Sequence, residues 1–177
     1  MSRRLAEGMQ GGTHTDAAPA VDAVVALGAN LGARHETLAA AAAALEHLPL
    51  VSAVRMSEPI ESVAVTLDGP DPDAPGYLNA VAIVTTRLAP TVLLSYLHTI
   101  EDRHGRVRRE RWGDRTLDLD LIAYGDVVCD TPTLTLPHPR AAERDFVLAP
   151  WLSIDPDASL VGAGRVADLL ERLGASS

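Results

Sequence analysis

Arg106–Val107–Arg108–Arg109–Glu110–Arg111–Trp112–Gly113–Asp114–Arg115–Thr116–Leu117–Asp118–Leu119–Asp120 runs a dense set of cations directly into two carboxylates spaced two apart. Side chains alternate across a β-strand, so Asp118 and Asp120 share one face while Leu117, Leu119 and Leu121 share the other. Two acids about 7 Å apart on one pleated face can share a pair of hard cations. Planar guanidinium groups suit polyphosphate oxygens, which they grip through paired hydrogen bonds. An alternating Asp/Leu pattern alone would fit a sheet-edge strand with a solvated polar face. The adjoining arginines reverse that preference and make phosphate chemistry the first expectation.

Working outward, Leu117 to Tyr124 reads as the last of four main strands, with Gly125–Asp126 turning into a short strand at Val127–Cys129. Val21 to Leu27 is an apolar run ended by Gly28, as expected of a central strand buried on both faces. Ala33 to Leu48 is alanine-rich and predicts a helix whose Leu38, Leu45 and Leu48 face a sheet, with Pro49 as its stop. Leu50 to Ser57 predicts a second strand, its pairing limited by Pro59. Thr66 to Gly76, rich in proline, glycine and aspartate, predicts a loop able to act as a flap. Tyr77 to Leu88 predicts a long third strand, and Pro90 introduces a helix from Thr91 to His104 with Val92, Leu93, Leu97 and Ile100 at helical spacing. The order strand, helix, strand, strand, helix, strand is that of a ferredoxin-like βαββαβ sandwich of the α+β class, an antiparallel sheet with both helices on one face. Added C-terminal elements include a packing helix at Val166–Leu173.

Composition sets the outer bounds. The 177 residues, 47% of them hydrophobic, suit one core, expected at residues 21–177 behind a flexible leader at 1–20. A net charge of -9 argues against general affinity for nucleic acid or anionic membranes. Every ordinary cation is an arginine, because the chain contains no lysine. Cys129 stands alone, so neither an internal disulfide nor a cysteine-rich zinc site is available. No run approaches the length of a membrane span and no secretory signal is evident, so a cytoplasmic protein is expected.

Several fragments, in their order and spacing, carry a resemblance. Gly28–Ala29–Asn30–Leu31–Gly32, Tyr77–Leu78–Asn79–Ala80, Gly105–Arg106–Val107–Arg108, Arg111–Trp112–Gly113, Arg115–Thr116–Leu117–Asp118–Leu119–Asp120, and Leu136–Pro137–His138–Pro139 followed by Arg144 and Phe146 closely resemble the 6-hydroxymethyl-7,8-dihydropterin pyrophosphokinases of folate biosynthesis. The resemblance covers about Val21 to Pro156. It implies transfer of the β,γ-pyrophosphoryl group of ATP to the pterin hydroxymethyl oxygen, with release of AMP. Two Mg²⁺ ions held by Asp118 and Asp120 are implied with it.

By the same resemblance, Arg106 and Arg108 belong to the catalytic loop, and Glu101, Arg115, His138 and Arg144 to the ATP site. Tyr77 and Phe146 would sandwich the pterin, with Asn79 on its amide-like edge, Ser57, Glu58 and Ile60 completing the slot and Trp112 packing over it. Glu101 could equally cap its helix or pair with Arg103 or His104. The chain departs from the family pattern at His98, Ala29 and Arg55, and it lacks the usual glycine after Pro59. Partners implied are ATP and the pterin alone, without nucleic acid or membrane, and a monomer is favoured. Two rivals share the architecture. An RNA-binding module would need a basic, aromatic-rich face, which an acidic chain with 3% aromatics does not offer. A non-catalytic small-ligand-binding domain would need no metal at Asp118 and Asp120.

Overall fold

The computed structural model describes residues 18–62, 64–66, 69–71, 76–104 and 116–175. Along them run β1 (Val21–Ala29), α1 (Arg34–Glu46), β2 (Val51–Met56), β3 (Ile60–Ser62), β4 (Ala64–Thr66), β5 (Gly69–Asp71), β6 (Tyr77–Thr86), α2 (Pro90–Arg103), β7 (Asp118–Tyr124), β8 (Cys129–Asp130), β9 (Thr135–Leu136), a 3₁₀ turn (Ala141–Glu143), α3 (Asp145–Ile154), β10 (Ser159–Leu160), β11 (Gly164–Arg165) and α4 (Val166–Ala175). The main sheet has the order β2-β6-β1-β7, every neighbouring pair antiparallel, and β3 continues alongside β6 beyond β2. Two strand–helix–strand units are thereby interleaved, which is the ferredoxin-like arrangement expected.

Alternation along the strands builds two cores. Ala23, Val25, Leu27 and Ala29 of β1 point to one face with Leu78, Ala80, Ala82 and Val84 of β6 and Leu119 and Leu121 of β7. There they meet Leu38, Ala41 and Leu45 of α1 and Leu93, Leu97 and Ile100 of α2. Val24, Val81, Ile83 and Ile122 point the other way, onto Val147, Leu148 and Trp151 of α3 and Val166 and Leu169 of α4. Each fully buried aliphatic side chain contributes about 1.5–3 kcal/mol relative to an exposed one, so both layers hold the sheet. A bulge sharpens this division. The pairing of β1 with β7 shifts between Val24 and Val25, so Ile122 and Ala123 both enter the second core while Tyr124 returns to the first. The Tyr124 hydroxyl donates to the Leu88 carbonyl there. Gly125 closes the strand with φ +47°, where a Cβ would also lie 2.7 Å from Val21 Cγ1, so only glycine fits the turn.

The differences from the sequence reading have local causes. β1 runs on through Gly28 and Ala29, because both stay paired with β6. The first helix ends at Glu46, not Leu48, and the strand after it begins at Val51 beyond Leu50, which has φ +60°. Within the predicted loop Thr66 to Gly76, the described residues form part of a β4–β5 hairpin, Thr66 opposite Gly69. The short strand after Gly125 falls at Cys129–Asp130, because its partner is Thr135–Leu136. α3 was not expected at all: Phe146 to Leu152 is apolar on every side and contains Pro150, so neither helical periodicity nor propensity marks it. Among the described residues no helix is long and apolar enough to cross a membrane.

Leu97 has no exposed surface between α2 and the sheet. Leu97→Ala is expected to lower stability by about 2–5 kcal/mol, read as a shift of the urea midpoint at unchanged m-value. A loss below about 1 kcal/mol would mean that the α2 face is not part of the core.

Candidate functional site

The register of three strands assembles the site. Gly28 of β1 lies opposite Asn79 of β6 on one side and Asp118 of β7 on the other, and Ala26 lies opposite Asp120. Alternation puts Tyr77, Asn79, Asp118 and Asp120 on the sheet face shared with α3 and α4, at the end of the strands. The expected common face of Asp118 and Asp120 is thus present. The chain following β9 then brings a second group of residues to the same place. The His138 peptide N–H donates to the Ile122 carbonyl at 2.8 Å, which anchors the Pro137–Pro139 segment over β7. From there the 3₁₀ turn leads into α3 and delivers Arg144 and Phe146.

Asp120 is where these groups meet. Arg144 Nη1 donates to Asp120 Oδ2 at 2.8 Å, and His138 Nε2 lies 3.9 Å from the same oxygen. The Arg140 peptide N–H donates to His138 Nδ1 at 3.2 Å, so the neutral imidazole carries its proton on Nε2, facing Asp120. Burial pushes the His138 pKa below the ordinary imidazole value. Arg144 and Arg140 act in the same direction, while Asp120 and Asp118 oppose it. The Arg144 guanidinium lies 5.8 Å from the centre of the Phe146 ring, within cation–π range. Phe146 itself is half-buried against the second core, and α3 packs on β6 and β3. The two carboxylates, an imidazole and a guanidinium can hold a cation and an anionic ligand side by side.

On the β6 side, Ser57 is tied to the sheet by both its groups: its N–H donates to the Val81 carbonyl at 2.9 Å, and its hydroxyl accepts from Val81 N–H at 3.0 Å. This carries exposed Glu58 past the strand and sets Ile60 opposite Asn79. Two contributors were not apparent from the sequence. Ser62 accepts a 2.7 Å hydrogen bond from Asn79 Nδ2, and Arg34 joins Glu61 at 3.0 Å to the Gly76 carbonyl at 2.7 Å. Arg34 thus pins β3 and the start of β6 to the beginning of α1. No local pattern signals either contact, since the partners lie 17 to 42 residues apart. Arg55, one of the departures from the family pattern, donates to the Ile154 carbonyl at 3.0 Å and so caps the end of α3.

Glu101, expected at the ATP site, is 1% exposed in α2, and its Oε1 accepts the Leu119 peptide N–H at 2.9 Å. β7 is the last strand on its side of the sheet, so a buried N–H turned away from β1 needs an acceptor, and Glu101 supplies it. Arg106, Arg108, Trp112 and Arg115 lie outside the described residues.

Fold and side chains together define a class: a ferredoxin-like α+β domain with an acidic pair beside cationic side chains at one end of its sheet. The chain belongs to the 7,8-dihydro-6-hydroxymethylpterin-pyrophosphokinase family, whose model matches residues 24–156. It is 38% identical over 157 residues to the 2-amino-4-hydroxy-6-hydroxymethyldihydropteridine pyrophosphokinase of Haemophilus influenzae, covering 86% of this chain and 92% of the relative. The enzyme of the same name from Pseudomonas aeruginosa is 41% identical over 151 residues, covering 82% and 88%. Among solved structures, wild-type HPPK-DHPS of Plasmodium falciparum with pteroate superposes with a TM-score of 0.67 at 12% identity. That match covers 86% of this chain and 42% of that longer one, and it bears on the fold alone.

Two outcomes follow from the buried groups. Glu101→Ala should lower stability by about 1–3 kcal/mol in urea denaturation, because Leu119 N–H loses its acceptor. Unchanged stability would contradict the support that Glu101 gives to β7. For His138, the unfolded chain binds a proton near pH 6.5 while the folded chain resists it to lower pH, so the unfolded state holds more protons in that interval. Stability contributed by the neutral ring is therefore complete above about pH 6.5 and is lost as the pH falls towards the depressed folded value. The urea midpoint of His138→Gln should fall less than that of the wild type between about pH 7 and pH 5.5. Parallel curves would contradict the shift.

Proposed function

We propose that this chain transfers the β,γ-pyrophosphoryl group of ATP to the hydroxymethyl oxygen of 6-hydroxymethyl-7,8-dihydropterin, releasing AMP, as a step of folate biosynthesis. Family membership and the names of its relatives support the reaction. The observation that carries the site is the register that sets Asp118 beside Gly28 and Asn79, with Asp120 next to Arg144 and His138.

The donor set suits Mg²⁺. Among the described residues no cluster of three or more candidate protein ligands exists, and Mg²⁺ commonly takes one or two carboxylates and completes its shell with water and substrate phosphate. Arg144 occupies one oxygen of Asp120, and the other oxygen remains to share a cation with Asp118. Two ions bound by Asp118 and Asp120 would supply charge neutralisation along the triphosphate and a lowered pKa for the attacking hydroxyl.

The side chains do the rest. Arg144 and neutral His138, with Arg115, bind triphosphate oxygens. Arg106 and Arg108 follow the transferring group, and only such differential contacts raise the rate rather than the affinity. Asp118 or Asp120 accepts the hydroxyl proton. Tyr77 and Phe146 enclose the flat ring, Asn79 reads its polar edge, Ile60 and the Ser57–Glu58 segment border it, and Trp112 covers it. ATP as co-substrate fits work in the cytoplasm, and a monomer is proposed with it.

The test is AMP release from ATP that requires both Mg²⁺ and the pterin. Asp118→Ala and Asp120→Ala should each lower kcat by at least about a hundredfold while leaving the circular dichroism spectrum intact. Pterin binding by the wild type without any turnover would instead identify a non-catalytic ligand-binding domain.

A further inference from the structure

We infer that Ser62 is a positioning residue for pterin recognition, holding the Asn79 side chain where it meets the ligand. This rests on the reading of Asn79 as a pterin contact and adds a residue to it. A serine hydroxyl can bond either end of a primary amide, so what it fixes is the place of the side chain. A slot that reads the edge of a flat ring needs its amide held against free rotation.

The β3–β6 pairing provides it. Ile60 stands opposite Asn79 and Ser62 opposite Tyr77, so Ser62 is the diagonal neighbour of Asn79 across the pair. Ser62 Oγ accepts from Asn79 Nδ2 at 2.7 Å, and Asn79 is only 7% exposed. With Nδ2 engaged, Oδ1 turns towards β1, where it would lie 3.4 Å from a Cβ built on Gly28. Gly28 has no side chain to meet it, so the acceptor is presented beside an open backbone position. An N–H of the pterin's amide-like edge is the complementary group. β3 is itself held in place, because Arg34 bridges Glu61 and the Gly76 carbonyl on either side of the pairing.

Without the serine hydroxyl, the amide can turn to find another partner in the free protein. Turning back to receive the ligand would leave Nδ2 buried and without its acceptor, and that cost falls on binding. The consequence is a weaker pterin complex with the reaction centre unaltered.

Pterin affinity measured by calorimetry, with Mg²⁺ and a non-hydrolysable ATP analogue present, tests this in Ser62→Ala, Ser62→Thr, Asn79→Ala and the Ser62→Ala/Asn79→Ala double variant. Ser62→Ala should weaken binding by about fivefold or more, raise the pterin KM in step and leave kcat within about twofold. Ser62→Thr should restore the affinity, and in the Asn79→Ala background Ser62→Ala should have no further effect. Wild-type affinity in Ser62→Ala, or an equal loss with and without Asn79, would overturn the role of Ser62 while leaving the pterin site standing. If Asn79→Ala itself binds as tightly as the wild type, the underlying reading of Asn79 fails, and the role of Ser62 with it.

Discussion

The missing side chain at Gly28 is the constraint on which the site turns. β1 lies between β6 and β7, and at its end one backbone position faces Asn79 on one neighbour and Asp118 on the other. A Cβ there would lie 3.4 Å from Asn79 Oδ1 and 3.9 Å from the Tyr77 ring, in contact with both side chains. Three strands contribute to one surface, and the middle one presents only backbone at Gly28. The antiparallel register makes this a rigid arrangement, since a slip of one residue would send every polar group into the α1–α2 core.

The two sides of this surface are joined through the first turn of α3. Arg144 precedes the helix and binds Asp120, while Phe146, two residues later, lies within cation–π range of the same guanidinium and packs on the second core. Arg144 therefore lies against the ring proposed to enclose the pterin. The helix that carries them is fixed at its far end by Arg55 on the Ile154 carbonyl and along its length by Val147, Leu148 and Trp151. What looks like an appendage to a ferredoxin-like sheet is the element that completes its site.

The acids of the structure divide by their surroundings. Asp118 and Asp120 stay partly accessible at the strand end, and Asp120 is balanced by a guanidinium. Glu101 sits on the opposite face, nearly out of solvent, and holds the backbone of the residue between those two aspartates. The three carboxylates are thus placed differently: two stay partly accessible at the strand end, and the third supports the strand that carries them.

Much of this was legible from residue order alone. Alternation placed Asp118 with Asp120 and Tyr77 with Asn79, and the succession of strands and helices predicted the interleaved sheet, because side-chain periods of 2 and 3.6 are local properties of the backbone. The family motifs also pointed to His138, Arg144 and Phe146. Local pattern could not reveal α3, whose apolar run has no polar face, nor the burial of Glu101, whose partner lies 18 residues away. Nor could it show that Arg144 reaches Asp120, that Ser62 holds Asn79, or that Arg34 ties β3 to the start of β6. These contacts join segments 17 to 42 residues apart. They exist only because folding sets the strands in one register and lays the C-terminal helices across the second face.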